Sequence, residues 1–173
     1  MTGRAIRWLV LPAILLPLAW LLIASLSRSV PVAGDPAPEF DLVAIDGTPV
    51  TSESLRGRPY LLNFWASWCI PSCVDEHPVL LEAQQRYGDR LRIVGVLYRD
   101  TAEQARDFLA TYGDGGWLQL ADPGERLAGA WGVLGPPESY LVDASGTVVA
   151  RKIGPLTSDQ LDGFIGQLDG IGS

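Results

Sequence analysis

The chain has 173 residues, of which 20 are acidic and 13 basic, and 47% of its residues are hydrophobic. This composition fits one globular domain with an appendage and excludes a largely disordered chain. The formal net charge of −7 argues against nucleic acid as a partner. Two cysteines are too few for a disulfide scaffold.

The first element is a hydrophobic segment, residues 6–26, whose single charge is Arg7 at its edge. A helix of this length spans roughly 31 Å, which matches the roughly 30 Å hydrocarbon core of a bilayer. Arg4 before the segment and Arg7 at its start outnumber Arg28 after it, which favours a cytoplasmic N-terminus. A cleaved signal peptide is the alternative, but its apolar region is usually shorter and no clean cleavage motif follows here. We therefore predict that residues 1–27 form a retained signal-anchor, a single transmembrane helix.

A short linker and then the folded domain follow the anchor. Residues 28–38 contain three prolines and several small residues, which favour an extended stalk. The domain is predicted at residues 39–169. A hairpin opens it, because Asp46-Gly47 is a strong turn signal between two strand-like runs.

The rest of the domain alternates between strand and helix patterns. Residues 60–66 are almost continuously apolar, which predicts a strand buried on both faces. A short turn is predicted at 52–57, before this strand. Helices are predicted at 74–89, 101–112, 125–131 and 157–168, and strands at 91–97, 118–120, 139–143 and 147–153, from apolar periodicity and capping pairs. The pattern predicts an α/β domain with a central mixed sheet flanked by helices.

Cys69 and Cys73 lie between the buried strand and the helix after it. A cysteine at a helix N-terminus lies beside unpaired N–H groups and the positive end of the helix dipole, which stabilise its thiolate. Cys69 is then the predicted nucleophile on a client disulfide, and Cys73 the resolving thiol. Two other interpretations stay open. A purely structural disulfide would contribute only about 2 kcal/mol in so short a loop, and buried, inert thiols are compatible with the same spacing.

Two stretches of the chain resemble one known family. The first reads LLNFWASWC and continues through the second cysteine to DEHP, and the second reads GVLGPPESYLVD. Both resemble the membrane-anchored thioredoxin-like thiol-disulfide oxidoreductases of cytochrome c maturation, the CcmG/DsbE and ResA/TlpA-like group. The resemblance covers about residues 35–168 and implies a thioredoxin-like fold.

The resemblance also implies a set of site residues. Pro137 would be the cis-proline that faces the disulfide, whereas an ordinary turn with trans bonds is the alternative. Glu138 and Glu76 match active-site glutamates of the family, which tune the thiols or relay protons; surface charge is their alternative. Asn63 occupies the position where thioredoxins carry a buried acid. We hypothesise that Glu138 substitutes for that acid.

The client, the electron donor and the location also follow from the resemblance. It implies a client with a cysteine pair, apocytochrome c, which the chain would reduce. Electrons would come from a membrane donor of the thiol-transporter type, since the chain has no nucleotide-binding glycine motif. The chain would lie in the cytoplasmic (inner) membrane with its domain on the periplasmic side. No cofactor, metal or nucleic acid is expected.

The spacing of the cysteines departs from the family pattern, because Cys69-Ile-Pro-Ser-Cys73 has one residue more than Cys-x-x-Cys. Pro78 follows Cys73 by five residues, as in relatives, so the helix register follows Cys73. The extra residue is expected as a bulge or as an additional helical residue, with the two Cα atoms about 6 Å apart if both are helical. A disulfide near the upper end of the usual range leaves the direction of electron flow open.

The same spacing supports an alternative function. Cys-x-x-x-Cys is also the copper motif of the Sco family, which shares the fold and the anchor, and two thiolates suit Cu(I). Those proteins use a distant histidine as third ligand, but His77, the single histidine, would lie about 12 Å along a helix from Cys69. We therefore expect His77 to be structural and keep a Sco-like metallochaperone with two thiolate ligands as the alternative.

Overall fold

The computed structural model describes residues 15–18, 20 and 30–171. Residues 15–18 and 20 are helical and exposed. Within the described ranges, no helix combines the length and the apolar character needed to cross a membrane. Most of the predicted anchor, residues 6–26, lies outside these ranges, so the anchor stays a prediction.

A mixed sheet organises the chain from residue 31 onward. Its strands are β1 (Asp41–Ala44), β2 (Pro49–Thr51), β3 (Tyr60–Trp65), β4 (Arg92–Leu97), β5 (Leu118–Ala121), β6 (Glu138–Val142) and β7 (Val148–Ile153). The helices are α1 (Ser52–Leu55), α2 (Ser72–Tyr87), α3 (Ala102–Tyr112), α4 (Arg126–Trp131) and α5 (Ser158–Ile171). In the order β2-β1-β5-β4-β3-β6-β7, the strands β3, β4 and β5 are parallel and the others pair antiparallel. The predicted α/β architecture is confirmed.

Strand β3 is buried along its whole length because helices cover both of its faces. Its alternate residues Leu61 and Trp65 pack with residues of α2, α3 and α5. Leu62 and Phe64 point the other way, into a core shared with α1 and α4. The continuous apolar run in the sequence is the consequence of this double burial.

Two local features differ from the sequence-based expectation. The segment predicted as a turn forms the one-turn helix α1, because Thr51 and Ser54 cap it reciprocally. The Thr51 hydroxyl accepts from Ser54 N at 3.1 Å and the Ser54 hydroxyl accepts from Thr51 N at 3.2 Å. The final helix α5 continues to Ile171, three residues beyond the predicted end.

The end of the predicted linker is hydrogen-bonded to the sheet. Residues 34–37 make three backbone hydrogen bonds of 2.8–2.9 Å with Gly146 and Val148. These partners lie at the turn between β6 and β7. The last residue of β6, Val142, pairs with Tyr60 at the start of β3, whereas Cys69 follows the end of β3. The chain therefore enters the domain at the end of the sheet away from Cys69.

Candidate redox site

The two cysteines lie where the chain turns from β3 into α2. Cys69 and Cys73 form a disulfide with their Cα atoms 5.3 Å apart, as the pairing prediction required. Cys69 precedes the helix by three residues, whereas Cys73 is its second residue and donates from its N–H to the Cys69 carbonyl at 2.8 Å. The extra residue therefore lies in the loop before the helix, where the Ile70–Pro71 bond is cis.

Both sulfur-bearing residues lie almost entirely inside the protein. Cys69 is 7% exposed and Cys73 is 3% exposed, and both belong to a hydrophobic cluster with Trp65 and residues of α3. Cys69 is thus the more exposed cysteine of the pair. Its place outside the helix explains why the Cα separation is shorter than the value expected for two helical cysteines.

The loop that connects β4 to α3 holds the residues before Cys69. Ser67 N donates to Asp100 Oδ2 at 2.6 Å, and Trp68 Nε1 donates to the Arg99 carbonyl at 3.0 Å. Arg99 has a left-handed backbone with φ 51° and an ion pair with Glu125 at 2.7 Å. The sequence analysis missed these contacts. The available signal was the pair Arg99-Asp100 one residue past the end of β4, because parallel strands bring their carboxyl ends to one edge of the sheet.

Pro137 lies at the same edge of the sheet as the cysteine loop. The Pro136–Pro137 bond is cis, as the resemblance implied. The next residue, Glu138, pairs with Phe64 near the end of β3. The Pro137 carbonyl accepts a hydrogen bond from Gly154 N at 2.9 Å, which ties the proline loop to the end of β7.

Glu76 is a buried carboxylate on the face of the sheet that α2 covers. Its side chain is 1% exposed. Oε2 accepts from Asn63 Nδ2 at 3.0 Å and Oε1 accepts from Leu156 N at 2.9 Å. Burial raises the pKa of Glu76 to about 7, although these two hydrogen bonds and the charge of Lys152 act in the opposite direction. Glu76 can therefore exchange a proton near neutral pH.

Glu76 and Cys73 line one small cavity of about 10 Å³. Its other lining residues are Asn63, Trp65, His77, Leu80, Trp117 and Gln119. This volume is at the lower limit for one water molecule. The acid beside Asn63 is thus supplied by α2, through Glu76, and not by Glu138 as we hypothesised.

Glu138 is equally buried but has a charged partner. Its Oε1 accepts from the Tyr140 hydroxyl and from Arg151 Nε, both at 2.6 Å. Its Oε2 is buried without a hydrogen-bond partner among the described residues. The Arg151 guanidinium also lies over the Tyr140 ring, 5.4 Å from its centroid, so the two partners of Glu138 contact each other as well.

The two glutamates lie on opposite faces of the sheet. Side chains alternate along β6, so Glu138 and Tyr140 share one face and Ser139 points to the other. The Ser139 hydroxyl accepts from Asn63 Nδ2 at 2.9 Å, which places it on the face of Glu76. Glu138 consequently lies on the face away from the cavity that Cys73 lines.

His77 has a structural environment. Its Nε2 lies 2.7 Å from the Gly113 carbonyl, which can only accept, so Nε2 donates. The ring packs edge-on against Phe108, with centroids 5.3 Å apart. In residues 15–18, 20 and 30–171, no group of three or more His, Cys, Asp and Glu side chains could hold a metal ion. The structure thus shows no third ligand for copper among these residues, and the two cysteines that the copper alternative needs as thiolates are joined in a disulfide.

The Redoxin family model matches residues 32–165. The chain belongs to the Redoxin family. It is 43% identical over 130 residues to the thiol:disulfide interchange protein HelX of Rhodobacter capsulatus, a match that covers 74% of this chain and 72% of HelX. It is 37% identical over 163 residues to the thiol:disulfide interchange protein DsbE of Allochromatium vinosum, covering 90% and 88%.

Solved structures agree with this assignment. A thiol:disulfide interchange protein of the thioredoxin family from Chlorobium tepidum superposes with a TM-score of 0.69 at 28% identity, covering 79% of this chain and 97% of that one. This Redoxin-family chain is therefore a thiol-disulfide oxidoreductase of the DsbE/CcmG group with a thioredoxin-like fold.

Proposed function

We propose that this oxidoreductase reduces a disulfide in a protein client outside the cytoplasm, with apocytochrome c as the client. In this proposal residues 6–26 anchor the protein in the cytoplasmic membrane, and a membrane donor of the thiol-transporter type supplies the electrons. The client and location rest on the family resemblance. The chemistry rests on one structural observation, the buried Glu76 in the cavity that Cys73 lines.

The reaction has two thiol-disulfide exchange steps. The Cys69 thiolate attacks one client sulfur, the client disulfide breaks, and the other client sulfur leaves with the electron pair. The Cys73 sulfur then attacks Cys69, the bond between Cys69 and the client breaks, and the second client sulfur leaves as a thiolate. Glu76 accepts the proton that Cys73 loses in this second step, and water protonates the client thiolates.

The start of α2 supports reduction of the client rather than oxidation. A strongly stabilised thiolate favours the reduced form of a cysteine pair and makes it an oxidant. Helix α2 begins at Ser72, three residues after Cys69, and the dipole effect fades within about one turn. A cysteine three residues before a helix receives less of this stabilisation than one at the first helical position, which supports a reducing role for the pair.

The direction of electron flow can be tested by redox titration of the full-length protein in detergent. Thiol trapping across dithiol buffers should show a two-electron transition with a midpoint nearer to about −270 mV than to about −120 mV. Cys69→Ala should abolish the transition. A midpoint near the higher value would make the protein an oxidant and contradict the proposal.

The client and the membrane location need separate tests. Cys73→Ala should trap a mixed disulfide between Cys69 and a peptide that carries two cysteines in an apocytochrome c sequence, whereas Cys69→Ala should trap none. Alkaline carbonate extraction should leave the full-length protein in the membrane fraction. A soluble protein after extraction, or equal trapping by both variants, would refute the corresponding part of the proposal.

A further inference from the structure

Three large apolar side chains beside the disulfide are exposed to solvent. Trp68 is 50% exposed and Ile70 is 67% exposed, and they lie on either side of Cys69 in the cysteine loop, residues 66–71. Leu134 lies in the proline loop, residues 133–137, and is 88% exposed, the highest value for a large hydrophobic residue in the described part of the chain. We call Trp68, Ile70 and Leu134 the apolar rim.

One buried tyrosine connects the two loops that carry the rim. The Tyr98 ring packs against the Trp68 ring, with centroids 6.4 Å apart, and its hydroxyl lies 3.4 Å from the Leu134 carbonyl oxygen. The Trp68 ring is also held by its hydrogen bond to the Arg99 carbonyl. Ile70 N donates to the Trp68 carbonyl at 2.9 Å. The three rim residues therefore belong to one connected surface that borders the disulfide.

The position of the rim puts it in the path of a client. Single exposed apolar side chains are common on proteins, whereas a connected group of them marks a contact surface. Thiol-disulfide exchange requires direct contact between sulfur atoms. Because Cys69 is almost buried, a client sulfur reaches it only when the client chain contacts the surface around it. Neighbouring Cα atoms are about 3.8 Å apart, so the residues next to the client cysteine then meet the rim.

The charged side chains near the rim offer less to a client. Arg99 and Glu125 form an ion pair with each other at 2.7 Å. The Asp100 carboxylate accepts hydrogen bonds from two backbone N–H groups, those of Ser67 and Thr101. Asp75, in the first turn of α2, is exposed and would select a basic client residue. The three exposed side chains of the rim instead favour an apolar one.

We propose that Ile70 and Leu134 select clients that carry a large apolar residue next to the reactive cysteine, with Trp68 as a third apolar contact. Such residues are mostly buried in folded proteins, so the client class is an unfolded protein segment. Ile70 lies before α2, in the part of the loop that accommodates the extra residue between the cysteines. The longer spacing thus adds an apolar client contact. This inference rests on the proposed function and names the clients of the same site.

The test measures the client preference of the reduced full-length protein in phospholipid nanodiscs, which avoid free detergent on the rim. Three disulfide-cyclised peptides share one sequence and differ only in the residues that flank their cysteines, which are leucine, serine or lysine. The preference is the ratio of the second-order rate constants for reduction of the leucine and serine peptides. In the wild-type protein we expect a ratio on the order of tenfold, because the leucine side chain is partly buried against the rim.

Variants of the rim should remove this preference. Ile70→Ser and Leu134→Ser should each lower the ratio, and the two substitutions together should bring it to about 1. Val32→Ser is the matched control, because Val32 is 60% exposed and lies at the end of the domain away from Cys69. It should keep the wild-type ratio. A folding defect slows both peptides by the same factor, so it does not change the ratio.

The outcomes separate this inference from the proposed function. Equal reduction of the leucine and serine peptides by the wild-type protein would overturn the inference, and so would a preference that persists in the double variant of Ile70 and Leu134. A lysine peptide that reacts faster than the leucine peptide, with the advantage lost in Asp75→Asn, would assign recognition to Asp75 and overturn it as well. Failure to reduce any of the three peptides would instead refute the proposed function.

Discussion

The two buried glutamates near the cysteine pair have the same side chain and nearly the same burial, yet they lie in different chemical surroundings. Glu76 accepts hydrogen bonds from two neutral donors, Asn63 and the Leu156 amide. Glu138 has the guanidinium of Arg151 at 2.6 Å. Burial raises the pKa of Glu76, which has no directly bonded cation, whereas Glu138 is ion-paired with Arg151.

This difference separates proton transfer from structural support. Glu76 and Cys73 line one cavity, which supports the proposed proton exchange between them. The carboxylate of Glu138 is occupied by Arg151 and Tyr140 on the other face, directly after the cis-proline. We infer that Glu138 holds the proline loop against the sheet, and that only Glu76 takes part in proton transfer.

The largest expected effect is on stability, from Glu138→Ala. Removing this carboxylate leaves Arg151, a quarter exposed, without its partner and creates a cavity beside Tyr140. We expect the free energy of unfolding to fall by about 4 kcal/mol. Urea unfolding at pH 8 would measure it. A loss below about 1 kcal/mol would show that the ion pair does not hold the loop.

The second effect is a pH dependence of stability that belongs to Glu76. Burial raises its pKa from 4.5 to about 7, so the folded protein holds this proton more tightly than the unfolded chain does. The resulting stabilisation is complete below about pH 4.5 and is lost as the pH rises through about 7, a change of about 3 kcal/mol. The groups facing Glu76 are Cys73 and His77 on α2 and Lys152 on β7.

The pH effect can be isolated with Glu76→Gln. The difference in unfolding free energy between wild type and variant should change by about 3 kcal/mol between pH 4.5 and pH 8, in favour of the variant at high pH. Urea unfolding across this range gives the difference directly. Glu138→Gln is the matched control and should show no such change. If the difference in unfolding free energy between wild type and Glu76→Gln did not change with pH, Glu76 would not be the titrating group.

The third effect is on the rate of mixed-disulfide resolution, and it is measured for the same substitution at Glu76 and at Glu138. Glu76→Gln should slow resolution of the mixed disulfide by about 10²-fold at pH 7.5, because Cys73 loses its proton acceptor. Glu138→Gln should change this rate by less than about threefold. Rapid quenching with an alkylating agent measures the decay of the mixed disulfide. Similar slowing in both variants would contradict the division of roles.

The smallest expected effect is the loss of stability when Glu138 loses the hydrogen bond that the Tyr140 hydroxyl donates to it. The Tyr140 hydroxyl lies 2.7 Å from the Trp131 carbonyl and 2.6 Å from Glu138 Oε1, and burial raises the pKa of Tyr140. Tyr140→Phe should cost about 1 kcal/mol of stability and leave the resolution rate unchanged. Thermal or urea unfolding measures the change in stability, and rapid quenching measures the resolution rate. A slower resolution would connect Tyr140 to proton transfer after all.

Local patterns were sufficient for most elements of the fold. The apolar run of β3, the turn at Gly47 with φ 92° and the Thr101 cap of α3 depend on neighbouring residues, and the structure confirms each of them. The turn predicted before β3 proved to be α1, since Ser54 can complete a capping pair as well as a glutamate can. The cysteine pair was also predictable, because it follows a buried strand and precedes a helix.

The sequence by itself thus determined the α/β alternation, the redox pair and the two candidate glutamates. Cys73 and Glu76 are three residues apart in α2, a local spacing that places them on one helix face. Tertiary structure alone decided that Glu138 lies on the other face of the sheet, because that depends on the register between β3 and β6. It also placed Gln119 beside the cavity that Cys73 lines, although Gln119 is 46 positions from Cys73 in the sequence. Local propensity specifies where strands and helices form, whereas contacts between distant residues arise only when the strands pair.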